Sequence, residues 1–183
     1  MNDSTRPSDA RYSGIAMLFH WLLALAIVGA FCMGLYMADL PLSPTRLKLF
    51  NWHKWAGVTI LALSALRLLW RLTHRPPADL PMPRVQAQIA HLVHGLLYLL
   101  FFLVPLSGWA YSSAIGFPIV LFGVLPLPDF VPVSKALAAT MKERHEQLAW
   151  LLALLVIAHV AAALKHQWVD KDGLLRRMLP VRR

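Results

Sequence analysis

The chain is poor in cysteine, in acidic residues and in charge of any kind. Its 183 residues hold one cysteine, Cys32, so no internal disulfide can form, and Cys32 reads as a small helix-packing side chain. Nine Asp and Glu stand against eighteen Lys and Arg, leaving a net charge of +9. Charged residues make up 15% of the chain and hydrophobic ones 58%, with a mean hydropathy of +0.55. That balance excludes an ordinary soluble domain of this length. A basic chain would otherwise suggest a nucleic-acid partner. Here the cations flank apolar runs, and no nucleic acid is expected.

Four windows, roughly 13–38, 51–72, 88–112 and 144–166, are long and apolar enough to cross about 30 Å of hydrocarbon. They lack the strand-like alternation that a closed β-barrel would need, and they are rich in Leu and Ala. The expectation is an all-α, integral-membrane four-helix bundle forming one domain over 1–183. Residues Met1–Tyr12 are polar, and the first apolar run is too long for a secretory leader, so it is expected to stay as an anchor. The connection 39–50 is short. The inner loop 73–85 is kept extended by Pro76, Pro77, Pro81 and Pro83. The long stretch 113–143 is apolar but broken by Gly116, Pro118, Pro126 and Pro128. It is expected to cap the outer end of the bundle rather than to span. The tail 167–183 reads as interfacial, with Trp168 at headgroup level.

Twelve of the eighteen cations fall on one side of this arrangement. The positive-inside rule makes that side cytoplasmic, with both termini and the Pro-rich loop. Six cations remain outside: Arg46, Lys48, Lys54, Lys135, Lys142 and Arg144.

His145 and His159 are fourteen residues apart in the fourth window. At 100° per residue they leave nearly the same helix face, about 21 Å apart along the axis. His53 comes in from outside at the level of His145. His20 lies at the depth of His159 from the cytoplasmic side. Ionisable groups inside a membrane are expensive and usually functional. Paired imidazoles suit b-type haem, whose iron they saturate, favouring electron transfer over oxygen chemistry. Zinc would want four ligands with Cys or carboxylate help, and neither accompanies these histidines. Polar contact between helices is the competing reading. No Cys-x-x-Cys-His is present, so haem would be held without covalent attachment.

His91 and His94 open the third helix, and spacing leaves His94 open as the inner ligand in place of His20. His166 sits seven residues past His159, at the headgroup boundary, suited to hydrogen-bonding a lipid-soluble substrate. Arg67 follows His53 by fourteen residues, at the inner level. Its planar fork matches a haem propionate, while a snorkelling anchor is the alternative. Arg71 reads as such an anchor. Gly29, Gly57, Gly95 and Gly108 would admit a flat macrocycle or a neighbouring helix.

These residues fall in recognisable pieces: Phe19-His20-Trp21, Asn51 to Gly57 around His53, Arg67 to Leu72, His91 to Tyr98, Lys142 to Glu146, and His159 to His166. Asp170 to Pro180 completes the series. Over roughly 12–180, in order and spacing, the chain resembles the bacterial cytochrome b561 family. More distantly it is similar to the membrane cytochrome subunits of nickel–iron hydrogenases and formate dehydrogenases. The resemblance implies a multi-pass, di-haem b cytochrome of the bacterial inner membrane. It further implies His20 and His159 on an inner haem, and His53 and His145 on an outer one. It also implies ubiquinone as electron acceptor and, as in at least one family member, periplasmic superoxide as donor. Family members can carry a lysine in the inner Pro-rich loop. This chain has none between Leu72 and His91.

The expected function is therefore electron transfer from superoxide through two haems to ubiquinone. Lys48, Lys54, Lys142 and Arg144 would steer the anion, since a cationic funnel raises on-rates by about 10–10³. His166 would donate to a quinone carbonyl, with Lys165 or Arg84 offsetting charge on the reduced quinone. The alternatives are a subunit docked to a dehydrogenase or hydrogenase as redox partner, and a simple shuttle to the quinone pool.

Overall fold

Three serines and a proline set the helix starts. The structure is a computed structural model that describes residues 11–179. Helix α1 (Gly14–Ala38) is capped by Ser13, whose hydroxyl accepts from the Ala16 N–H. Helix α2 (Pro44–Thr73) has Ser43 accepting from Arg46 N, and Pro44 stands where no N–H is needed. Helix α3 (Arg84–Ala114) follows Pro83, and α4 (Lys135–Lys165) is capped by Ser134 through Leu137 N. All four are long and apolar enough to cross a membrane. Large side chains such as Leu25, Leu154 and Ile157 are more than 60% exposed on their flanks. A water-soluble surface does not carry such an apolar belt; a lipid-facing one does.

Three helix starts differ from the sequence expectation. Helix α2 begins at Pro44 rather than near 51, and α4 at Lys135 rather than near 144. Helix α3 also begins earlier, at Arg84 rather than 88. Hydropathy marks where hydrocarbon begins, whereas a serine cap marks where the helix begins, and here the caps lie in polar sequence beyond the bilayer. His53 and His145 therefore do not head their helices but lie two to three turns inside them. The expected cap 113–143 shrinks to 115–134, and it contains a small antiparallel hairpin, β1 (Val120–Leu121) with β2 (Leu125–Pro126).

The bundle is layered. Each helix puts a residue at an outer and an inner level fourteen positions apart: Gly34 and His20 on α1, His53 and Arg67 on α2, Gly108 and His94 on α3, His145 and His159 on α4. Midway, seven residues from each, stand Ile27, Ile60, Phe101 and Leu152. All four are buried and belong to one core cluster. An apolar layer thus separates two polar levels. Packing is most extensive between α3 and α4 and between α1 and α2, while α1 and α4 barely meet.

Beyond α4, a π turn (His166–Asp170) and a 3-10 turn (Leu175–Met178) bring the chain back under the inner ends of the helices. Lys171 and Gly173 make the reversal with positive φ. The returning segment is tied down by Tyr12 N donating to Arg177 O, by Trp21 Nε1 donating to Met178 O at 2.8 Å, and by Arg177 donating to Ala78 O at 2.8 Å. Arg11 adds a bond to the Leu179 carbonyl. Arg6, Pro180, Arg182, Arg183 and the two termini lie outside the described residues.

Candidate functional site

At the outer level, the rings of His53 and His145 lie 6.0 Å apart, centre to centre. Two imidazoles bound end-on to one metal at about 2 Å each would hold their centres roughly 6 Å apart. The Val104 carbonyl meets His145 Nδ1 at 3.0 Å. A carbonyl only accepts, so Nδ1 carries the proton and Nε2 keeps its lone pair for a metal. Pro105 removes one N–H from this stretch of α3, and Ser107 Oγ donates to the same Val104 carbonyl at 2.8 Å. His53 Nδ1 is buried without a hydrogen-bond partner, the Ala30 carbonyl being near but outside bonding geometry.

Glycines face both rings. A Cβ on Gly34 would lie 3.2 Å from His53 Cε1, and one on Gly108 would lie 2.9 Å from His145 Cε1. Alanine at either position would crowd the ligand. A cavity of about 770 Å³ opens from this level, walled by His53, His145, Gly34, Gly108, Trp109 and Trp150, by the cations Arg46, Lys54 and Lys142, and by the carboxylates Glu143 and Glu146. That is a size usual for cofactor sites.

At the inner level, His20 and His159 have centres 6.2 Å apart, and His94 lies 5.4 Å from His159. Arg67 Nη2 donates to His20 Nδ1 at 3.1 Å. Below them is a second cavity of about 650 Å³, lined by Arg11, Arg67, Arg71 and Arg75 with Trp70, His74 and Tyr98. The guanidinium groups of Arg67 and Arg71 lie 5.5 and 5.6 Å from the centre of the Tyr98 ring.

Four helices with imidazoles paired at two depths are what a haem-bearing bundle requires, and comparison with known proteins gives the lineage. A family model described as prokaryotic cytochrome b561 matches residues 11–181. The chain belongs to the prokaryotic cytochrome b561 family. It is 37% identical over 174 residues to cytochrome b561 homolog 2 of Escherichia coli (strain K12), covering 92% of this chain and 91% of that protein. It is 31% identical over 175 residues to the probable superoxide oxidase CybB of Yersinia pestis, covering 94% and 98%. Cytochrome b561 homolog 1 of Escherichia coli (strain K12) matches at 30% over 177 residues, covering 94% and 99%. This cytochrome b561 is thus a bacterial membrane protein of a haem b-binding, electron-transferring family.

The residues present fit that group. At the outer level a His145 tautomer fixed for ligation and two glycines flush against the ligand rings make a cradle. Gly34 escaped the sequence reading, although a signal was there: it follows His20 by fourteen residues, the interval that separates His145 from His159.

The expected steering cations divide. Lys54 Nζ donates to Phe117 O and Pro118 O, both at 3.1 Å, and lies 3.6 Å from the Phe117 ring centre, fastening the outer loop to α2. Lys142 pairs with Glu146 at 3.5 Å at the cavity wall. Lys48 lies over Trp52 and Arg144 donates to Gln147 Oε1; neither lines the outer cavity. Arg46 does line it, with a buried Nε that makes no hydrogen bond.

Two of the expected quinone residues, His166 and Lys165, are engaged by neighbouring side chains. His166 is buried, with Nδ1 2.5 Å from Asp172 Oδ2 and 3.3 Å from Asp170 Oδ2. Its Nε2 lies 3.0 Å from Gln86 Nε2. Lys165 pairs with Asp170 at 2.6 Å, and Arg84 is exposed on the first turn of α3. His166, Asp170 and Asp172 bring three ligand atoms within 4.8 Å. The Lys165 ammonium already supplies the positive charge there.

Proposed function

We propose that this cytochrome takes electrons from superoxide on the outer side and passes them, through two haems b, to a quinone on the inner side. The observation that carries the reading is the stacking of two imidazole pairs on one bundle, the outer pair beneath a cavity whose wall carries three cations against two carboxylates. Helices α2 and α4 run on past the hydrocarbon, so that cavity faces water between their projecting ends. The name of the Yersinia pestis relative supports superoxide as the donor.

When bound, each haem supplies a one-electron carrier whose iron two imidazoles saturate. His53 and His145 hold the outer one and His20 and His159 the inner. The ring centres of His20 and His159 lie 6.2 Å apart, near the roughly 6 Å that ligation of one metal calls for, against 5.4 Å for His94 and His159. This supports His20 as the ligand. Ligation through His20 Nε2 needs the proton on Nδ1, so Arg67 must then donate elsewhere, and a propionate in the arginine-lined cavity is the matching acceptor.

Two superoxide ions leave as two molecules of oxygen. Their two electrons, with two protons from the cytoplasmic side, convert one quinone to quinol. Superoxide needs no general acid to give up its electron, only access and a positive field, and on the wall Arg46, Lys54 and Lys142 outnumber Glu143 and Glu146. The quinone head belongs in the inner cavity, where Trp70 and Tyr98 offer ring faces and Arg71 and Arg75 offer donors. Within this reading His166 and Lys165 do not bind the quinone, because their nitrogens already have partners, and Arg84 does not line the inner cavity.

The test is a superoxide flux delivered to purified, haem-loaded protein with and without quinone. Haem should reduce without quinone. With quinone it should stay largely oxidised while quinol accumulates at one per two superoxide. Haem that superoxide leaves oxidised ends this reading.

A further inference from the structure

The hairpin between α3 and α4 carries a tip with the wrong chemistry for water. No charged residue stands from Trp109 to Pro128. Phe122 and Gly123 both have positive φ, 52° and 74°. In water, turns of that backbone take Asn or Asp before the glycine; here a phenylalanine is held in a conformation that bulky residues disfavour. Phe122, Val124 and Leu125 are all more than half exposed, Val124 at 83%.

Helix α2 fixes the depth of this tip. Trp55 Nε1 donates to Val120 O at 2.7 Å, and its ring centre lies 5.6 Å from that of Phe122. Lys54 holds the adjoining corner at Phe117 and Pro118. Trp55 stands eleven residues into α2, roughly 16 Å from its start, and just inside the apolar run that begins near 51. There the charged, projecting end of the helix gives way to its lipid-facing surface. Tryptophan favours that boundary.

We infer that the hairpin 119–127 is an interfacial anchor, which buries Phe122, Val124 and Leu125 among the headgroups and upper acyl chains of the outer leaflet. The occupant is lipid because Phe122 packs on Trp55, just inside the start of the apolar run of α2, which puts the patch beside the upper edge of that run. The anchor ties the corner that accepts from Lys54, and with it the outer cavity's wall, to the bilayer.

The experiment uses the haem-loaded full chain in vesicles of phosphatidylethanolamine and phosphatidylglycerol. Val124→Cys, and separately Leu125→Cys, are made in a Cys32→Ser background and labelled with an environment-sensitive fluorophore. Lys135→Cys on the projecting start of α4 is the water-exposed control. Labels at 124 and 125 should emit blue-shifted relative to the control. Lipids carrying a nitroxide high on the acyl chain should quench them at least twofold more than lipids carrying it near the chain end, and iodide should not. Emission like that of the control, with iodide quenching, overturns the proposal in favour of a free or partner-binding loop. Shielding from iodide without nitroxide quenching, growing with protein density in the membrane, overturns it in favour of a second copy.

Discussion

At the scale of single residues, the four imidazoles are distinguishable by which haem each removes. His53→Ala or His145→Ala should lose the outer haem and keep the inner; His20→Ala or His159→Ala should do the reverse, read by haem quantification and low-temperature spectra. His94→Ala should keep both, and losing one there would transfer the inner ligand from α1 to α3. Gly108→Ala should lower outer-haem occupancy with the inner spectrum unchanged, because its Cβ would sit 2.9 Å from the His145 ring. Periodicity sorts histidines by depth and face, so two histidine levels were legible in the sequence, but it left His94 open beside His20, and only the resemblance favoured His20. The histidines' partners were not legible. The Val104 carbonyl that fixes the His145 tautomer is a main-chain atom with no sequence signature. The partners of His166 come from α3 and from beyond α4, brought together by a reversal at Lys171 and Gly173.

At the scale of elements, apolar runs and helices are different objects in this chain. The runs near 51 and 144 locate the membrane edge, while Ser43 and Ser134 locate the helix starts seven and nine residues earlier. The number and order of spans were therefore legible, and the projecting helix ends were not, since polar sequence before an apolar run reads as loop. Removing a serine cap typically costs about 1 kcal/mol. Ser43→Ala should therefore fray the first turns of α2 and disturb Arg46 while leaving the span in place. The outer loop is held differently, by Lys54 on two carbonyls and by Trp55 on a third. Hydrogen bonds from a charged donor contribute about 1.5–3 kcal/mol. Lys54→Met should thus make residues 115–134 several-fold more sensitive to added protease while both haem spectra persist. Unchanged proteolysis would return Lys54 to a purely electrostatic role.

At the scale of the whole molecule, charge is distributed across the membrane in two ways that separate experimentally. The inner excess of Lys and Arg orients the chain, and four spans bring it back to its starting side, so tags at either terminus should report from the cytoplasm. In the proposed function the outer cations act on a substrate instead. If superoxide is the donor, haem reduction should be fast at low ionic strength and slow with salt, as the Debye length falls from about 30 Å at 0.01 M to about 10 Å at 0.1 M. The geometry ranks the cations. Arg46 and Lys142 line the outer cavity, whereas Lys48 and Arg144 lie outside it on Trp52 and Gln147. Arg46→Glu and Lys142→Glu should therefore lower the reduction rate several-fold more than Lys48→Glu or Arg144→Glu, and should flatten its salt dependence. A subunit docked to a dehydrogenase would behave otherwise: superoxide would reduce it slowly, and the reversals would matter only with the partner present. Equal effects from all four reversals would point to a diffuse field rather than a funnel. Indifference to both salt and reversal would remove the cations from the reaction.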